Sequence, residues 1–108
     1  MSEMRRQVAW PFPGGRFPED LGAVVQRTVL DMKLPARMVA HAADGSWMVG
    51  DGVNDPNEPG AAVATHLRHV VEHDPSLAEL ASLPPGSRAD RASGDAPWVV
   101  SDFRYEED

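Results

Sequence analysis

The residues best suited to chemistry lie in "HLRHVVEH", where His66, His69 and His73 recur at i, i+3 and i+7. On a helix these three fall within a band of about 60°. The band lies beside an apolar stripe and away from Arg68. Two neutral imidazoles one turn apart are the nitrogen pair that zinc takes in tetrahedral geometry. A hydrolytic zinc helix also needs a Glu directly after the first His as general base, and Leu67 stands there instead. His41, on a strand, joins this set only if the helix packs on that strand's face. The alternatives are half-buried imidazoles at a core boundary, bonded to water or backbone, or a pH-sensitive surface.

A second candidate is the stretch "DGSWMVGDGVNDPNEPG", residues 44–60, with four acidic side chains and no Lys or Arg. Calcium loops of the EF-hand type need oxygen ligands at alternate positions and a Gly turn at the sixth. Counting from Asp51, the third position is Val53 and the sixth is Pro56, so that register fails. Asp51, Asn54, Asp55 and Asn57 remain an irregular oxygen set, and Asp51 with Asp55 a carboxylate pair for acid–base work. The same residues are also what turns demand, because Asx side chains bond nearby backbone N–H groups. Turn chemistry and helix entry account for most of the stretch. Its acidic side offers a surface to a basic partner: Asp44, Asp51, Asp55 and Glu58 around a possible aromatic anchor, Trp47. Trp47 is equally suited to the core.

Other chemistries lack their residues. The chain has no Cys, which removes thiolate catalysis, disulfides and Cys-held metals. No Ser lies in a nucleophile elbow, and "GDGVNDPNEPG" lacks the Lys of a phosphate loop. The formal charge of −7 disfavours a nucleic-acid backbone as ligand. No apolar run approaches the ~18 residues of a membrane span. A cytoplasmic protein without a cofactor is the expectation.

At 108 residues the chain fits one domain. Residues 1–20 read as an irregular arm, "WPFPGGRFP" spacing Pro and Gly among Trp10, Phe12 and Phe17, with some of the aromatics packed back on the domain. Residues 21–104 form the domain, and residues 105–108 an acidic frayed tail. Ala23 to Leu30 is β-branched and reads as a strand. Ala36 to Ala43, the Asp44-Gly45 turn and "SWMVG" read as a hairpin, giving an N-terminal meander. Residues 60–73 carry Val63, Leu67, Val70 and Val71 at helical spacing. "SLAELASLPPG" reads as a second short helical segment, with Ser76 and Glu79 in a capping-box pattern. "PWVVSDF" adds a last strand. The expectation is an α+β fold: a small antiparallel sheet of three to five strands with one main helix on one face.

Several of these pieces occur together: "VVQRTVLDMKLPARMVAH" before "DGSW", an acidic Pro-rich connection, "HDPSLAELASLPPG", a strand bearing Arg88 and Arg91, then "APW". In this the chain resembles a family of small standalone bacterial proteins of unknown function. Relatives of that family are grouped by sequence with immunity proteins of polymorphic toxin systems. The resemblance covers about three quarters of the chain and omits the N-terminal arm and the acidic C-terminus. It implies an α+β fold and binding of a partner protein, with no catalytic residues to carry over. The expected function is therefore a protein-binding module, with a metal-binding protein or small hydrolase on the helix histidines as the alternative. Homodimerisation is a third possibility.

Overall fold

The computed structural model describes residues 10–54 and 58–103. Its frame is a hairpin of β2 (Met38–His41) and β3 (Trp47–Gly50), closed by Asp44 and Gly45. Gly45 takes φ +95°, a left-handed conformation open to Gly at no steric cost. The Asp44 carboxylate accepts from the Ser46 N–H and hydroxyl and locks the turn. This hairpin agrees with the sequence expectation. The neighbouring elements depart from it.

β1 (Gly22–Gln26) stops at Gln26, and residues 27–30 coil into a short helix, α1 (Arg27–Leu30). The Arg27 N–H bonds to the Ala61 carbonyl, which ends the ladder. The Thr28 carbonyl then accepts from both Lys33 and Leu34. Met32 follows at φ +64°. The β-branched run Thr28-Val29 is thus overridden by tertiary bonding, and the coil turns Val29 into the core. β1 pairs in parallel with β3, not with β2, so the first three strands are not a meander.

The larger departure lies in residues 60–73. Ala62–His66 is a strand, β4, paired antiparallel to β1 over five residues, and only Arg68–His73 is helical (α2). Val63 and Thr65 alternate with Ala62, Ala64 and His66, a period of two that the helical spacing of Val63 with Leu67 conceals. β1 needs a partner on its free edge, and β4 supplies it. A 3-10 helix (Pro75–Ser82) follows, capped by the Asp74 side chain on the Ser76 N–H. β5 (Ser87–Asp90) and β6 (Val99–Asp102) complete the sheet.

The architecture is α+β, with a six-stranded mixed sheet in the order β4-β1-β3-β2-β5-β6. Its strand count exceeds the expected three to five, and several short helices replace the single main one. They lie on one face. Under them, Val25, Val39, Trp47, Val49 and Ala89 from the sheet meet Val29, Leu67, Val70, Leu77 and Leu80. Phe12, 5% exposed, belongs to the same core, so part of the Pro-rich segment completes the domain. Among the described residues no helix is long and apolar enough to cross a membrane.

Candidate functional site

The histidines are distributed differently from their helical spacing. His66 is on β4, while His69 and His73 are on α2. The His66 and His69 rings lie 5.9 Å apart, and no group of three His, Cys, Asp or Glu able to hold a metal forms among the described residues. A strand residue and a helix residue do not share the band that the zinc arrangement requires. His41 is held elsewhere, its Nδ1 2.7 Å from the Leu83 carbonyl and its ring stacked on Trp47 at 4.0 Å.

Burial holds the His41 pKa below 6.5, against the Leu83 carbonyl bond and the charge of Asp44, which both raise it. A His with a lowered folded pKa contributes its stability in full above the unfolded value, 6.5. That contribution shrinks as pH falls, because the unfolded chain takes the proton first. Proton NMR should find the His41 imidazole titrating below 6.5, and urea unfolding should show stability declining from pH 7.5 to 5.5. A midpoint above 6.5 would contradict this placement.

The acidic stretch also divides. Asp44 is exposed at the hairpin turn, its carboxyl held below the usual range by the Ser46 hydroxyl and N–H. Glu58 is exposed beyond the far end of β3, and Asp55 lies outside the described residues. Trp47 is 1% exposed and Asp51 0%. Neither can touch a partner while the domain is folded. The expected surface built from these five residues is therefore corrected. Its central pair faces inward, and β3 separates Asp44 from Asp51.

Each buried residue has a structural task. Trp47 stacks on His41 and packs against Phe12 at 6.0 Å and Phe17 at 5.1 Å. The Asp51 carboxylate accepts from the Val53 and Asn54 N–H groups, the Asn54 amide and the Thr28 hydroxyl. Burial alone would raise its pKa, but these hydrogen bonds outweigh it and bring the value to about 2. Gln26 finishes the loop, accepting from the Asp51 N–H and donating to the Asn54 carbonyl.

The concavity best suited to a ligand lies where these aromatics reach the surface. Residues 14–19, α2 and the 3-10 helix enclose a groove of about 620 Å³. Phe17, Val71 and Ala78 give it an apolar floor, and Phe17 is fixed from behind by Phe12 and Trp47. Arg16, Glu19, Arg68, Glu72 and Glu79 stand around it, all exposed, and none forms an ion pair with another described residue. Sequence reasoning missed this groove because its two walls are some fifty residues apart.

No protein-family model, curated protein or solved structure matches this chain. The groove is thus read from its own chemistry.

Proposed function

We propose that this chain is a protein-binding module, of the immunity type that the sequence resemblance implies, with the 14–19/α2 groove as its contact site. The observation that carries this is the apolar floor of Phe17, Val71 and Ala78 beside three carboxylates and two guanidiniums, none of them ion-paired with another described residue. Protein interfaces have this anatomy, an apolar centre within a charged rim. The fitting partner places an aliphatic or aromatic side chain on Phe17 and Val71 and brings Lys or Arg to Glu72 and Glu79. The chain's net charge of −7 steers such a basic partner towards it.

Affinity capture from native lysate at low and high salt tests the assignment. One stoichiometric basic protein should be retained at low salt and lost at high salt, since screening removes charge steering. Glu72→Lys with Glu79→Lys should slow association about tenfold or more while leaving the circular dichroism spectrum unchanged, because both side chains are exposed. Capture unaffected by this charge reversal would remove the groove as the contact site.

A further inference from the structure

We infer that the open edge of β6 is a docking site for an extended segment of a basic partner protein, which adds to the sheet as a further strand. β6 ends the strand order, so among the described residues nothing pairs with its outer edge. Natural sheets protect such an edge with Lys, Pro or a bulge, because its free N–H and C=O groups template another strand. β6 instead presents two adjacent valines, Val99 at 64% and Val100 at 55% exposed.

The ladder between β5 and β6 shows which groups are free. The Phe103 N–H bonds to the Gly86 carbonyl, in register with the Ser87–Asp102 and Ala89–Val100 pairs. Bonding alternates along an antiparallel pair, so Val99 and Ser101 turn their backbone groups to β5, and Val100 and Asp102 turn theirs outward. Paired residues share a face, and Ala89 belongs to the core, so the Val100 side chain lies on the helix side. There Val100, Pro84 and the half-buried Trp98 border a cleft of about 350 Å³. An antiparallel strand bonded to Val100 and Asp102 sets one side chain beside Val100 at this cleft. The residue two positions earlier in that strand stands beside Asp102.

Charge selects the occupant. Exposed Glu79 stands on the rim of the cleft, exposed Asp102 lies two residues beyond Val100, and no Lys or Arg lines the cleft. Neither carboxylate is ion-paired with another described residue. A segment with an apolar side chain for Val100 and Lys or Arg for Asp102 and Glu79 matches this edge. A second copy does not, since it brings another Asp102, another Glu79 and a further net charge of −7 to the same place. In strand addition the main-chain bonds supply affinity and alternate side chains supply specificity. The edge is separate from the 14–19/α2 groove, although Glu79 borders both.

Amide hydrogen exchange of the full chain, read residue by residue by NMR, tests this with the peptide acetyl-Lys-Thr-Leu-Val-Lys-amide. At about 1 mM the peptide fills most of a site with a Kd of about 100 µM. The Val100 and Asp102 amides should then exchange about tenfold more slowly or better, while Ser101, already bonded to β5, should change little. Methylating the Leu nitrogen removes one strand-to-strand bond and should abolish the protection. Val100→Lys and Asp102→Lys, both at exposed positions, should each weaken binding about tenfold or more. Glu72→Lys, which borders the other groove alone, should leave peptide binding unchanged, so the two sites stand or fall separately. No protection at about 1 mM peptide would overturn the proposal. So would protection that the methylated peptide also confers. Protection that rises with protein concentration alone would overturn it as well and give the edge to a second copy.

Discussion

Replacing Arg91 with Ala should lower the free energy of unfolding by about 3–5 kcal/mol, a large share of what a domain this size has. Its side chain is 2% exposed and reaches three segments. Nε donates to the Ala36 carbonyl before β2, Nη1 to the Ser76 hydroxyl, and Nη2 to Asp74 at 2.7 Å. Trp98 lies over the guanidinium at 4.1 Å, placing the chain ahead of β6. Arg91 thereby joins the end of β5 to the start of the 3-10 helix and the entry to β2. Burial opposes the charge on Asp74, but Ser76 and Arg91 together hold its carboxyl below the usual range. Asp74→Ala should be comparably destabilising, since it strands a buried cation and removes the cap on Ser76. The two losses should not add. In a double-mutant cycle the pair should cost about 1–3 kcal/mol less than the sum. Urea unfolding followed by tryptophan fluorescence measures all three variants, and a loss under about 1 kcal/mol for Arg91→Ala would show that water replaces its bonds.

Arg91 also shows where sequence reasoning ends. The second Arg of "SRADRASGD" carries no local sign that Ala36, Asp74 and Trp98 will converge on it. Features that depend on neighbours in the chain were legible. The Asp44-Gly45 turn implied its hairpin. The Leu spacing after Ser76 implied the segment at 75–82, although Asp74 caps it and not the expected Ser76–Glu79 box, and "PWVVSDF" implied the final strand. Features decided by distant partners were not. Residues 62–66 satisfy a helical stripe and a strand alternation equally, and the free edge of β1 decides between them. The same limit governs the site. Composition marked residues 44–60 as acidic but could not show which carboxylates face water. Trp47 supports the groove from inside, through Phe17, and does not bind at its surface.

Asp51 answers that question of facing most directly. Asp51→Ala should cost about 2–4 kcal/mol, because four donors lose the buried carboxylate they share. Two of them are backbone N–H groups, so the turn at residues 51–54 should open. The Gln26 amide then loses the Asn54 carbonyl. Asp51→Asn keeps the shape and an acceptor for Val53 and Asn54, and should cost less at neutral pH. Acid separates the two effects. The folded carboxyl has a pKa of about 2 against 3.8 unfolded. A depressed carboxyl contributes stability that is whole above the unfolded value and is lost as pH falls through the folded one. The shift corresponds to about 2 kcal/mol, present above about pH 4 and gone below about pH 2. Wild type should therefore lose about 2 kcal/mol more than Asp51→Asn across that interval. Parallel urea titrations at stepped pH provide the comparison, and equal acid sensitivity in the two proteins would place the Asp51 carboxylate in water instead of in the loop it closes.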